Sequence, residues 1–338
     1  MLNVALIGFG SISRLHRKAY AELEKEGRAC LVAAYDVSPE AFRTAVKNNL
    51  DSAEQAIDES VRFYTDLDEM LAKEKIDFVD ICVPTYQHKP MTLELLRRGY
   101  HVLCEKPMSL CYDDCLEMIR TAEQNGKELM VGQCLRFLPA FDEFKRIVEE
   151  KRFGAVQGAF FSRLSALPTW GRNNWFADPK CSGGGVLDFL IHDVDMIRNL
   201  FGEPDAVSAR GCSSFSLYDA VHASLYYGSI PVTAIADWTH AGMKFSATCY
   251  INFEDATVSY EGKGVLRVAY KKDGTNEEIP LAGYDGYYGE IAYFCDVVAG
   301  KVKNTKNPAQ SAATSVRLIE HIRKSADEAG IVVPFHRP

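Results

Sequence analysis

The chain has 338 residues, 47% apolar and 25% charged, with a formal net charge of −8. At roughly 100–200 residues per domain, that length predicts two domains with ample core. The acidic balance argues against nucleic acid as a partner, because a phosphate-tracking face needs a basic stripe and only short clusters such as Lys271-Lys272 are present. The ten cysteines include no Cys-x-x-Cys pair, so they read as reduced, buried side chains in a cytoplasmic protein, with no metal expected. No uncharged apolar run approaches the roughly 18 residues of a membrane span, and Met1-Leu2-Asn3-Val4 carries no basic leader.

In chain order, Val4–Ile7 is a short apolar run that predicts a strand buried on both faces. Residues 14–26 predict a helix ending at Gly27, and Leu31–Tyr35 a second strand ending at Asp36. Ser38-Pro39 starts another helix, with proline at its first position. Phe78–Val83 and His101–Cys104 predict further buried strands, residues 88–98 and Tyr112–Gln124 helices, and Leu129–Val131 the last strand of the series. Strands alternating with helices make βαβ units and a doubly wound parallel sheet. Arg136–Glu150 reads as one helix. Beyond it come β-rich runs at Ala155–Ser162, Ala220–Tyr227, Val232–Trp238, Ser246–Phe253 and Val265–Tyr270, separated by short turns, which predict a largely antiparallel open sheet. Helical stretches are expected at 183–201, 287–299 and 311–329. The expected organisation is an α/β domain over 1–131 and an α+β domain over 132–338.

Gly8-Phe9-Gly10-Ser11-Ile12-Ser13 follows the first strand directly and opens the first helix, the context of a dinucleotide-binding turn. Gly8 permits the tight turn, Gly10 lets backbone approach a pyrophosphate at the helix start, and Ser13 stands where a third glycine is usual. Asp36, 26 residues past Gly10, can accept from both ribose hydroxyls and would repel a 2′-phosphate, which favours NAD over NADP. It could equally cap the helix near Pro39.

Several strings carry a family resemblance: His16 after the glycine turn, Pro84-x-x-x-His88, His101-Val102-Leu103-Cys104-Glu105-Lys106-Pro107, Arg136-Phe137, Gly183-Gly184-Gly185 with Asp188-x-x-x-His192, and Tyr287-x-x-Glu290. In that order they resemble the glucose–fructose oxidoreductase/inositol dehydrogenase/rhizopine-catabolism family over nearly the whole chain. The resemblance implies an NAD-linked oxidoreductase acting on a sugar, a cyclic polyol or a glycoside, and His192-Asp193-Val194-Asp195-Met196, which looks most like the inositol dehydrogenases, tilts it towards polyols. Its competitors are a dihydrodiol or sugar-nucleotide dehydrogenase of the same family and a non-catalytic dinucleotide-binding regulator. A homodimer or homotetramer through the second sheet is implied as well.

Lys106 lies just past the carboxyl end of a strand, where open α/β sheets bind ligands. Its amine can share the substrate hydroxyl proton as hydride leaves the carbon; a salt bridge to Glu105 is the structural alternative. Asp188 and His192, four apart on an expected helix, share a face with Asp195 and Asn199. A polar helix face is ordinarily solvated, whereas the resemblance makes these two residues the catalytic pair, with either Lys106 or His192 as the base. Gly8, Gly10, Ser11, Ile12, Asp36, Pro84, His88, Glu105 and Lys106 are the expected cofactor contacts. Arg163, Trp175 and Tyr287 join Lys106, Asp188 and His192 as candidate substrate contacts.

Overall fold

The computed structural model describes residues 1–43, 60–283 and 285–336. Its chain forms two compact units: Met1–Cys134 with Trp170–Trp175 and Gly286–Thr314, and Leu135–Thr169 with Phe176–Asp285 and Ser315–Pro338. The first crossing falls at Cys134, near the expected boundary. The two returns to the first unit carry no compositional break that the sequence could have revealed.

The first unit begins with β1 (Leu2–Ile7), α1 (Ser13–Lys25), β2 (Ala29–Tyr35), β3 (Arg62–Tyr64) and α2 (Leu67–Lys73). It continues with β4 (Phe78–Ile81), α3 (His88–Arg97), β5 (His101–Glu105), α4 (Tyr112–Gln124) and β6 (Leu129–Gly132). The strands are parallel in the order β3-β2-β1-β4-β5-β6, the doubly wound order of a dinucleotide-binding sheet. Helix α1 buries Ser13, His16, Ala19, Tyr20 and Leu23, a stripe at three- and four-residue spacing. The helix expected from Ser38-Pro39 is a single 3₁₀ turn over Pro39–Phe42; its remainder lies outside the described residues.

The chain then runs through α5 (Pro139–Glu150), β7 (Val156–Leu164), α6 (Pro179–Ser182), α7 (Gly185–Asp188) and α8 (Ile191–Phe201). Next come β8 (Ala206–Cys212), β9 (Ala220–Tyr227), β10 (Ile230–Asp237), β11 (Ser246–Phe253), β12 (Ala256–Tyr260), β13 (Val265–Tyr270) and β14 (Asn276–Pro280). The last elements are α9 (Gly286–Val298), which belongs to the first unit, α10 (Ala309–Asp327) and β15 (Val333–Pro334). The second unit's nine strands form one sheet, antiparallel except where β7 pairs with β10. Arg136–Glu150 is not one helix: a 3₁₀ turn over Cys134–Phe137 ends before Pro139, which starts α5.

Period-two burial gives the large sheet a covered face and an open face. Along β7, Ala159 and Phe161 are buried while Phe160 between them is 38% exposed. Phe160 pairs with Tyr250 on one side and Thr233 on the other, and Tyr226 of β9 is 37% exposed. No helix among the described residues is long and apolar enough to cross a membrane.

Candidate functional site

The glycine turn is shaped by close packing. Gly8 has φ +96°, and a Cβ there would lie 2.7 Å from the Cys82 carbonyl oxygen, so no other residue fits without a shift. At Gly10 a Cβ would meet nothing within 4 Å: this side of the turn is open. Ser11 and Ile12 lead into α1, whose first turn carries neither an acidic residue nor a side-chain cap. Ser13, fully buried, donates its hydroxyl to the Gly10 carbonyl at 2.7 Å, so the polar replacement for the third glycine braces the turn. An open helix start below a glycine turn suits a pyrophosphate.

Asp36, just past β2, accepts from the Phe9 N–H through Oδ2 at 2.9 Å and from the Ser38 N–H through Oδ1 at 3.0 Å. It therefore both ties down the glycine turn and closes a local turn of its own. Arg172 reaches the same carboxylate, Nη1 to Oδ1 at 3.2 Å. Nothing in the sequence linked these two, which stand 136 positions apart. Trp175, half-buried, follows Arg172 in the same unit, after Asn173 and Asn174 with positive φ.

At the carboxyl ends of β4 and β5, Pro84 precedes a 3₁₀ turn that leads into α3. His88 is buried, with Nδ1 2.6 Å from the Pro107 carbonyl and Nε2 2.9 Å from that of Val83. Burial lowers its pKa against the pull of those carbonyls, so the ring is neutral near pH 7 and its single N–H bonds one of the two. The Lys106 N–H donates to Glu105 Oε2 at 3.0 Å. The other Glu105 oxygen faces inward, where His16 Nε2 sits 2.9 Å away. His16 Nδ1 is 2.7 Å from Asp80 Oδ2, which also accepts from the Tyr20 hydroxyl at 2.8 Å. Tyr287 lies beside this group, its ring centroid 5.8 Å from that of His16. Burial raises the Tyr287 pKa well above its usual value, keeping the phenol protonated.

In the second unit the expected helix over 183–201 is broken between the two residues of interest. Asp188 ends α7 and His192 is the second residue of α8, with Phe189 and Leu190 turning between them and the Leu190 N–H reaching back to Gly185. Just ahead of α7, a Cβ on Gly184 would lie 2.1 Å from the Leu217 carbonyl oxygen, so the chain enters pressed against a neighbouring backbone. Nor is the polar stripe solvated. Asp195 is 1% exposed and pairs with Arg136, at 2.7 Å to Nε and 2.8 Å to Nη2, while the Ser315 hydroxyl donates to it at 2.7 Å. Asp193 is held in the same forked way by Arg163, at 2.9 and 3.0 Å. Arg163, a candidate substrate contact, has its guanidinium buried, paired with Asp193 and lying 5.5 Å from the Phe245 ring centroid. Asp188 is buried and His192 half-buried.

The sequence reading missed these ionic groups. Their signal was an acidic or basic residue where burial was expected, such as Asp80 inside Phe-Val-Asp-Ile.

A parallel 3-2-1-4-5-6 sheet with an open glycine turn and an acidic residue past β2 defines a dinucleotide-binding protein of the oxidoreductase kind. Residues 2–133 match the "Oxidoreductase family, NAD-binding Rossmann fold", and residues 141–259 match the GFO/IDH/MocA C-terminal domain. The chain belongs to this family. It is 27% identical to the scyllo-inositol 2-dehydrogenase (NADP(+)) IolU of Bacillus subtilis, over 99% of each chain. It is 28% identical to the D-apiose dehydrogenase of Paraburkholderia graminis, over 80% of this chain and 70% of that one. Among solved structures, the WlbA dehydrogenase from Bordetella pertussis in complex with NADH and UDP-GlcNAcA superposes with a TM-score of 0.80 at 21% identity, covering 100% of this chain and 99% of the other. That likeness concerns the fold alone.

Proposed function

We propose that this protein is an NAD-linked dehydrogenase that moves a hydride between nicotinamide and a secondary alcohol of a sugar, cyclic polyol or glycoside. The observation that carries the reading is Lys106, one residue beyond β5 at the carboxyl edge of a doubly wound parallel sheet whose first turn is open for a pyrophosphate. The bound dinucleotide supplies the hydride acceptor. Gly8, Gly10, Ser11 and Ile12 hold its phosphates, Asp36 its adenosine ribose, and Pro84, His88 and Glu105 shape the floor beside Lys106. The Lys106 amine takes or shares the hydroxyl proton at Nζ. His192 holds the same hydroxyl or acts as its base, and Asp188 orients it. These two roles rest on the family motif and on the rigidity that the Arg136–Asp195 and Arg163–Asp193 pairs give α8. In this reading Arg163 is a support for α8. Trp175 and Tyr287 are the remaining substrate contacts. The names of the inositol and apiose dehydrogenases support a polyol or sugar substrate. The exposed aromatic side chains Phe160 and Tyr226 on the open face support a homodimer or homotetramer through the large sheet.

A second reading of the cofactor has its own observation. Arg172 beside Asp36 is a cation at the ribose end of the site, and IolU is named for NADP(+). NAD and NADP offered separately with a panel of inositols, aldoses, glycosides and dihydrodiols, followed by nicotinamide absorbance, test both readings. NAD reduction by a polyol or sugar is expected. A preference for NADP would overturn the role given to Asp36, and turnover of dihydrodiols alone would overturn the substrate class.

A further inference from the structure

The Glu105–Lys106 turn sits on a buried group of charges for which nothing so far described gives a purpose. His16 from α1 is fully buried, and each of its ring nitrogens is within hydrogen-bond reach of a carboxylate oxygen, Asp80 at 2.7 Å and Glu105 at 2.9 Å. A neutral imidazole carries one N–H and could donate to only one of them. Two ionised acids on opposite sides of one ring are satisfied together only by an imidazolium. Burial alone would lower the His16 pKa, but the Asp80 charge, with Cys82 beside it, overrides burial and raises it well above the usual value.

Every packed element offers His16 a partner of the same sense. From β4 comes Asp80, and from just past it the Cys82 thiol, which burial and Asp80 keep protonated. From α1 comes the Tyr20 hydroxyl, whose proton goes to Asp80. From β5 comes Glu105. From α9 come the Tyr287 ring and Glu290, whose carboxylate lies within 4.8 Å of the facing His16 and Glu105 atoms. No lysine or arginine among the described residues is recorded at His16, so the ring itself is the counter-charge of this pocket.

We propose that His16 is a positioning residue of the reaction: as an imidazolium it fixes the Glu105 carboxylate, and Glu105 in turn fixes the backbone N–H of Lys106 and so the direction in which the lysine leaves β5. The chain of contacts is continuous, from Asp80 Oδ2 through both His16 nitrogens to Glu105 Oε1, and from Glu105 Oε2 to the Lys106 N–H. Gly132 of β6 makes room for it: a Cβ there would press on Glu105 Oε1 at 3.3 Å. A ring that cannot rotate without breaking an ion pair is a firm stop for the carboxylate it holds. The inference rests on the reading of Lys106 as the proton-transfer group.

Two measurements test it. The first is nitrogen NMR of the ¹⁵N-histidine-labelled wild-type protein at about pH 8, well above the reference histidine pKa of roughly 6.5. One of its eight histidines, identified by its displacement in Glu105→Gln, should carry protons on both nitrogens. A neutral-tautomer signal from that residue would overturn the proposal, and this experiment needs no His16 variant to fold. The second is a double-mutant cycle on kcat with His16→Gln and Glu105→Gln. Each single change should lower kcat roughly 10- to 100-fold, the scale of a displaced reacting group, and His16→Gln should leave NADH affinity and substrate KM unchanged. The double variant should lose no more than the worse single one. Losses that multiply, or that fall on KM and cofactor affinity, would make His16 a merely structural residue. Should Lys106→Met turn over normally, the functional reading fails while the NMR result stands. An inactive Lys106→Met beside a neutral His16 sinks this inference alone.

Discussion

Both units bury charge beneath the residues that the functional reading relies on, and they do so with opposite chemistry. Under Lys106 the first unit gathers carboxylates around one histidine, and that histidine is the cation. Under His192 the second unit locks two aspartates of α8 into forked pairs with Arg136 and Arg163. A guanidinium stays charged at any pH a folded protein meets, and its rigid fork fixes direction as well as distance. An imidazolium is a cation only below its own pKa. Above the range in which aspartates protonate, the second unit's support should therefore be indifferent to pH, and the first unit's should not.

The largest effect is expected at the chemistry itself. Lys106→Met should lose on the order of 10²–10⁴ in kcat while retaining NADH binding; loss of NADH binding instead would make the lysine a cofactor anchor. Next comes the second unit's support. Asp195→Ala takes the Asp195 carboxylate away from the buried Arg136, and unfolding in urea should show a loss of about 3–5 kcal/mol. An unchanged midpoint would mean that the fork contributes no rigidity to α8.

Asp36→Ala should weaken NADH binding by about 1.5–3 kcal/mol, roughly ten- to a hundredfold, as hydrogen bonds to a charged acceptor are lost. NADP affinity should not fall with it. A parallel fall in both would move Asp36 from selecting the cofactor to holding the turn at Phe9.

The smallest effect sharpens the contrast between the units. The His16 pKa is raised in the folded state, so the folded protein holds the extra proton above the unfolded value of roughly 6.5. Its contribution to stability is complete below that value and is lost as pH rises through the folded pKa. Urea midpoints measured upward from about pH 7 should fall in the wild type and fall less in His16→Gln. Equal slopes would place the alkaline sensitivity elsewhere.

The first strand, the glycine turn and the end of the second strand were legible because their signals are local. Val4–Ile7, the glycine turn and Asp36 need only a strand, a turn and a strand end to be read, and β9, β11 and β13 begin and end where their alternation does. The break between Asp188 and His192 was not legible. Nor was the close passage of Gly184 by the backbone of Leu217, a contact between segments far apart in the chain. The same limit hid the partners of Asp80, Asp193 and Asp195. A charged residue in an apolar stretch signals burial with a partner, but only the fold says that Asp80 meets a histidine while Asp193 and Asp195 meet arginines. Arg163 is an example: its pairing with Asp193, thirty positions away, appears only in the fold.

The most direct test of the central claim is to follow the hydrogen. A polyol or sugar that the protein oxidises, deuterated at the carbinol carbon, is incubated with NAD, and the recovered cofactor is weighed by mass spectrometry. One deuterium on the nicotinamide is the predicted result. Cofactor that binds but returns unlabelled, with every substrate of the panel, would contradict the account and make the protein a dinucleotide-binding regulator.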